Sequence, residues 1–164
     1  MKHAFSPWRS LYIDSFGAKK KTGCLFCQML KHPAEDEKNL VLWRGKNCFI
    51  VMNRYPYNSG HVMIVPYRHT AKLETLKPEE QLEVMNSLIR CTSMLKKTSK
   101  PDGFNIGANI GKVAGAGIDK HIHFHLVPRW NGDTNFMPVL ADIKIVSQDI
   151  KKHQKIFAKI LQED

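Results

Sequence analysis

No stretch of the chain comes near the ~20 consecutive apolar residues that a membrane-spanning helix needs. The opening segment, Met1-Lys2-His3-Ala4-Phe5-Ser6-Pro7-Trp8-Arg9, lacks the apolar core of a secretory signal. Both absences point to a cytoplasmic protein. Internal repeats, low-complexity tracts and interdomain linkers are missing too, so 1–164 reads as a single domain long enough to bury a real core. Acidic residues are scarce, 15 against 25 Lys and Arg, which leaves a formal charge of +10. That excess makes polyphosphates, nucleic acid or membrane surfaces admissible partners. Aromatic residues, however, are not interleaved with the lysines as on a single-strand binding platform. Lys151, Lys152, Lys155 and Lys159 read instead as the solvated face of a helix, so neither nucleic acid nor membrane is expected. Cysteines number only four, which a reducing cytoplasm keeps as thiols. Cys48 and Cys91 sit singly among apolar residues and read as buried. Cys24 and Cys27 form a Cys-x-x-Cys pair.

Histidine, by contrast, is concentrated. His121, His123 and His125 alternate with Ile122, Phe124 and Leu126. In an extended strand alternate side chains share a face, so the three imidazoles line up while the apolar set packs inward. Each ring has two polar nitrogens to satisfy if buried, which makes such a row poor core material. It is a good way to place several nitrogens that titrate near neutrality along one anion.

Further strands are expected at 40–43, 48–52, 61–66, 104–110 and 122–127, with a turn at Gly45-Lys46-Asn47 and a loop over 53–60. Residues 1–38 read as irregular, punctuated by Gly17, Gly23 and His32-Pro33. Pro78 followed by Glu79 and Glu80 opens a long helix. Leu82, Met85, Ile89, Thr92 and Leu95 recur at helical spacing as its buried face. Lys96, Lys97 and Lys100 suit its C-terminal end, and Pro101-Asp102-Gly103 stops it. A final helix within 140–164, capped by Ser147, carries apolar Ile150, Phe157, Ile160 and Leu161. Short antiparallel strands with one inserted helix make an α+β sheet domain.

Before the histidines lies Asn109-Ile110-Gly111-Lys112-Val113-Ala114-Gly115-Ala116-Gly117. It is not a Walker loop, because three residues separate Gly107 from Gly111 and Val113 stands where Ser or Thr is required. Nor is it a dinucleotide fingerprint, since Lys120 replaces the third glycine. Beside three histidines it suits a loop whose backbone N–H groups bind phosphate oxygens. Gly115, Ala116 and Gly117 are therefore candidate substrate contacts.

His121-Ile122-His123-Phe124-His125-Leu126-Val127 resembles the histidine triad signature of nucleotide hydrolases and transferases. Asn53-Arg54-Tyr55-Pro56-Tyr57-Asn58-Ser59-Gly60-His61-Val62 is similar to that family's Asn-Arg-x-Pro…Gly-His stretch. Asn109 falls where the family carries a polar phosphate-site residue, although one extra residue precedes the triad here. The resemblance implies a histidine-triad-like fold: an antiparallel sheet of about five strands, one long helix and a C-terminal helix. It also implies homodimers paired through sheet extension. His123 is implied as the nucleophile on an α-phosphorus, through a nucleotidyl-histidine intermediate, its tautomer held by a backbone carbonyl. His125 is implied to bind the phosphate and leaving oxygen, His61 to lie beside the same phosphate, and Asn53 to contact ribose or base.

The cysteine pair has two chemical readings. A thioredoxin-type pair needs a strand-to-helix context, which the stretch from Gly17 to Gly23 does not supply. A zinc site needs two more ligands, and His69 and His121 are available. Zinc-containing members of the superfamily combine Cys-x-x-Cys with two histidines, one of them the first of the triad. The resemblance thus implies a closed structural zinc site of Cys24, Cys27, His69 and His121. No organic cofactor is expected.

Residues 127–139 and 6–13 look like the branch of bacterial diadenosine tetraphosphate phosphorylases, or ATP adenylyltransferases, which pass AMP to inorganic phosphate. Choosing phosphate over water needs an anion site and water exclusion. Arg129, Lys112 and Arg9 are candidates for the first, and Trp130 either walls the base or packs at a dimer contact. Hydrolysis of dinucleoside polyphosphates or phosphoramidates is the alternative activity. A nucleotide-binding module without turnover is a third reading. A histidine-only metal centre is disfavoured, because three histidines on one flat strand without a carboxylate make a poor facial site.

Overall fold

The computed structural model describes residues 23–133 and 149–163. Expectations that fall on 1–22 and 134–148, among them Arg9, the 6–13 segment, the stretch 134–139 and the Ser147 cap, lie outside the described residues. The described residues form four helices and five strands, in order: α1 (Leu25–Lys31), α2 (Asp36–Asn39), β1 (Val41–Arg44), β2 (Cys48–Met52), β3 (Val62–Pro66), α3 (Pro78–Ser99), β4 (Gly103–Gly107), β5 (Phe124–Arg129) and α4 (Ile150–Glu163). The strands make one antiparallel sheet in the order β1-β2-β3-β5-β4. This is the α+β sheet the strand pattern calls for.

The two faces of the sheet are covered differently. Cys48, which pairs with Pro66, meets Ser87 of α3 with Sγ 3.4 Å from Oγ, so that face takes the long helix. Phe49, on the alternate face, meets Phe26 of α1 at 6.3 Å between ring centroids. Every residue of β2 and β3 is buried, as central strands covered on both sides must be. The β1–β2 turn closes tightly on α3: Glu83 accepts from the backbone N and the side-chain amide of Asn47. A side chain at Gly45 would run into the Glu83 carboxylate and the Trp43 indole, so glycine is needed there. Gly60, with φ +76°, sits where a Cβ would come 3.1 Å from Leu95 and 3.2 Å from Pro128. That close approach lets the chain turn into β3 over the top of the core.

Three expectations need correction. Residues 25–39 are not irregular but form α1, α2 and a short 3-10 turn at Pro33–Glu35. Phe26 and Met29, one helical turn apart, bury against the sheet. Arg44 on β1 then ties the segment down, with a two-pronged bond to Asp36 at 2.8 and 2.6 Å and a third to the Met29 carbonyl at 2.7 Å. Second, α3 presents a different face from the one expected. Val84, Ser87, Leu88, Cys91, Met94 and Leu95 are buried, whereas Leu82, Met85 and Ile89 are 63%, 56% and 56% exposed. The helix carries two apolar stripes on opposite sides, and the inner one hides behind Ser87 and Cys91. Third, regular β5 pairing begins at Phe124, so His121 and His123 lie on the extended approach to the strand, and β4 ends at Gly107 rather than 110. Cys48 and Cys91 are buried thiols as expected, and burial pushes each up to about 12. No helix among the described residues is long and apolar enough to cross a membrane.

Candidate functional site

Strand register brings the site together. His125 pairs with Met63 on one side and Gly107 on the other. His61 immediately precedes β3 and its ring lies 5.1 Å from that of His125, while His123 lies 4.9 Å from His125 on the other side. All four of His61, His121, His123 and His125 are buried, more deeply than an imidazole row at a surface cleft would suggest.

Hydrogen bonds fix the tautomers one after another. The Tyr57 backbone N–H donates to His61 Nδ1 at 3.1 Å, and the Asn53 amide stands 3.3 Å from the same nitrogen. His61 Nδ1 is therefore an acceptor, and its proton sits on Nε2. Nε2 donates to His125 Nδ1 at 2.9 Å, which leaves the His125 proton on Nε2. That atom is the one buried side-chain nitrogen or oxygen among the described residues without a hydrogen-bond partner. A buried donor left unpaired is costly, and His125 is one of the residues lining a depression of about 230 Å³, with Tyr57, Asn105, Ile106, Gly107, Ala108, Asn109 and Val127. An incoming oxygen would satisfy the donor.

Both rings of this relay stay neutral. Burial, with His125 and His123 as neighbours, lowers His61 to about 3, and burial with His123 nearby lowers His125 to about 4. His123 is fixed separately: Nδ1–H donates to the His121 carbonyl at 2.9 Å. Its Nε2 keeps the lone pair, and burial holds the ring below its ordinary value. A neutral imidazole with a free lone pair beside a neutral imidazole N–H donor has the chemistry to act as a nucleophile next to an oxygen-binding group.

The second cluster is the one the cysteine pair suggests. Cys24 Sγ and His69 Nδ1 each lie 3.3 Å from a partner in the set, His121 Nδ1 and Cys27 Sγ respectively. His121 Nδ1 also lies 3.6 Å from Cys27 Sγ and 3.3 Å from His69 Nδ1, and all four ligand atoms fall within 4.8 Å of one another. Tetrahedral zinc with its usual bond lengths has edges of about 3.5 Å between sulfur and nitrogen and about 3.3 Å between nitrogens. The donor set fits a metal ion of that kind. His121 Nε2–H donates to the Pro66 carbonyl at 2.8 Å, the outer bond that turns Nδ1 toward a metal.

Other expected residues fall into two groups. Asn109 lines the depression, and its amide stands 3.5 Å from the Tyr57 hydroxyl. Asn53 turns inward, its carbonyl capping Tyr55 N and its amide at His61, so it orients a histidine directly. Gly115, with φ +87°, follows a short 3-10 turn at Lys112–Ala114, and Ala116 N reaches the Gly111 carbonyl. Gly117 is exposed in the same loop. Trp130, five residues beyond His125 and thus roughly 16 Å along the chain, donates its indole N–H to Ser99 and is not brought to the histidines. Arg129 is engaged by Asp133 through two bonds at 2.6 and 2.7 Å, whereas Lys112 is mostly exposed and 3.9 Å from Asp119. Sequence reasoning missed Tyr57 as a site residue: its ring, 43% exposed, lies 4.8 Å from His61 and 5.6 Å from His125. The larger depression, about 430 Å³ between Trp43, Arg44 and Lys155, holds none of these residues.

Residues 34–132 match the HIT domain family. The AP-4-A phosphorylase of Mycobacterium tuberculosis is 42% identical over 123 residues, covering 75% of this chain, and the chain spans 63% of that relative's length. The adenosine 5'-monophosphoramidase of Saccharomyces cerevisiae is 33% identical over 124 residues, 76% of this chain and 73% of that one. Among solved structures, a Zn-bound histidine triad family protein from Mycobacterium smegmatis superposes with a TM-score of 0.67 at 25% identity, covering 86% of this chain and 94% of that one. With the family's domain matched over more than half its length and its histidines in place, the chain belongs to the histidine triad family.

Proposed function

We propose that the protein transfers an adenylyl group from a dinucleoside polyphosphate, diadenosine tetraphosphate being the first candidate, to inorganic phosphate. The observation that carries this reading is the His123 tautomer: Nδ1–H on the His121 carbonyl and Nε2 left with its lone pair. In the first step Nε2 attacks the α-phosphorus, a P–N bond forms, and the P–O bond to the departing ATP breaks. His125 Nε2–H, unpaired in the resting site, hydrogen-bonds the oxygen that gains charge. In the second step a phosphate oxygen displaces His123, giving ADP. His61, held by Asn53 and Tyr57, keeps His125 in the donating tautomer. Asn109 and the backbone of Gly115, Ala116 and Gly117 are read as the phosphate-chain contacts, with Lys112 as the cation for the acceptor phosphate. Trp130 has no part in this reading of the isolated chain.

Zinc is the metal read into Cys24, Cys27, His69 and His121. A closed four-ligand site has no open position for substrate, so the ion would tie α1 to the approach of β5 and supply no chemistry. The exposed edge of β4 and the apolar stripe of Leu82, Met85 and Ile89 support a homodimer built by sheet extension. Four unpaired thiols support the reducing cytoplasm as the compartment.

The similarity to the mycobacterial phosphorylase favours phosphate as acceptor, whereas similarity to the yeast phosphoramidase favours water. Incubation with diadenosine tetraphosphate, with and without phosphate, separates them. Phosphate-dependent ADP is expected. AMP formed without phosphate would replace phosphorolysis by hydrolysis, and no product would leave a binding module. His123→Ala is expected to abolish turnover and the covalent adduct while nucleotide affinity changes little, measured by mass spectrometry and calorimetry.

A further inference from the structure

Phe26 stands between the two cysteines and is 1% exposed. Its ring centroid lies 5.4 Å from His121 and 5.0 Å from His123, with Phe49 6.3 Å away. Those contacts bracket the bond on which the His123 tautomer depends, from Nδ1–H to the His121 carbonyl. The His121 ring is held on both edges, Nδ1 facing Cys24 and Cys27 and Nε2–H on the Pro66 carbonyl. The carbonyl that fixes the nucleophile thus belongs to a residue anchored in the cysteine cluster. The aromatic ring packed beside His123 comes from the segment that carries the two thiols.

We propose that Phe26 is a positioning residue for His123: seated by Cys24 and Cys27, it holds the imidazole with Nδ1 on the His121 carbonyl and Nε2 toward the site. Assembly of the four-ligand cluster therefore sets the nucleophile's pose. The inference rests on the reading of His123 as the nucleophile. Contacts between buried aromatic rings are directional, and a leucine of similar bulk fills the space without bounding the imidazole plane. A nucleophile turned off its line of attack loses about ten- to a hundredfold in rate.

The test compares Phe26→Leu with Phe49→Leu. Phe49 is equally buried in the same cluster, but its ring stacks on Tyr67 rather than on an imidazole. Both variants are expected to lower the melting temperature to a similar degree. Ring-nitrogen NMR, zinc content, nucleotide affinity and the rate of His123 adduct formation are then measured. In Phe26→Leu alone, the single Nδ1–H tautomer pattern of His123 should give way to a mixture, while the His61 and His125 signals and the zinc content persist. Adduct formation should slow by about ten- to a hundredfold with nucleotide affinity unchanged. Chelation of the unmodified protein should move the His123 signals in the same direction. The proposal is overturned if Phe26→Leu leaves the His123 signals as they were, or if Phe49→Leu shifts them equally. If the unmodified protein forms no adduct, the nucleophile reading fails on that result, and the ring spectra still decide whether Phe26 holds His123.

Discussion

At the residue scale the site is a set of proton positions rather than a set of charges. Each imidazole is neutral, and each has a neighbour that decides which nitrogen carries the hydrogen. His61 is the member whose removal tests this. In His61→Ala the bond to His125 Nδ1 disappears, and His125 becomes free to move its proton away from the site. Loss of one oriented proton donor costs about a hundredfold or more, so adduct formation is expected to fall by that order with nucleotide binding largely kept. Single-turnover kinetics read both, and an unchanged rate would mean that His125 needs no such lock. The triad itself was legible, because spacing alone puts alternate rings on one side. The lock was not, because it depends on a backbone N–H at Tyr57 and on the register that sets Met63 opposite His125. Tyr57 escaped for a similar reason: within Tyr55-Pro56-Tyr57-Asn58 nothing in the pattern says which aromatic will lie over the histidine pair.

Among the elements, α3 shows how far periodicity reaches. Its start at Pro78 and its end before Pro101 follow from cap chemistry, and Glu80 accepting from Lys77 N completes the first turn. Its phase does not follow, because apolar residues recur at helical spacing on two sides and the small residues Ser87 and Cys91 mark the side that packs closest. The two stripes make opposite predictions. Leu88→Ala, on the buried side, is expected to cost about 2–4 kcal/mol through the cavity it leaves. Leu82→Ala is expected to stay within about 0.5 kcal/mol in a monomer. Urea unfolding measures both, and the reverse ranking would overturn the observed phase. Leu82→Glu with Met85→Glu adds a second reading: a dimer that uses this stripe should dissociate in light scattering while the helical spectrum is retained. Residues 25–39 teach the complementary lesson. Short helices of four and seven residues carry too little pattern to announce themselves, and it is Arg44, on the strand that follows, that holds them in place.

For the molecule as a whole, the buried imidazoles link stability to pH. His61 and His125 titrate in the folded state near 3 and 4, against about 6.5 in an unfolded chain. Between those limits the unfolded chain binds protons that the folded one refuses, so stability is complete above about pH 6.5 and declines as pH falls. The groups facing the pair are His123, Tyr57 and the Asn53 amide, none of which offers a carboxylate to compensate. Each histidine contributes about 1.4 kcal/mol per pH unit across the window, so moving from pH 7 to pH 5 should remove about 4 kcal/mol from the pair together. That is a sizeable part of the margin of an ordinary domain. The lysine-rich face of α4 adds to the trend only weakly, since Lys151, Lys152, Lys155 and Lys159 are exposed and screened. Metal release at acidic pH would superimpose its own loss, so the urea midpoints belong on chelator-treated protein. In His61→Asn the slope between pH 6.5 and 5 is expected to fall, because one of the proton-refusing rings has gone. A flat profile in the unmodified protein would mean that water reaches these rings and protonates them without unfolding, and the tautomer relay could not then be the resting state.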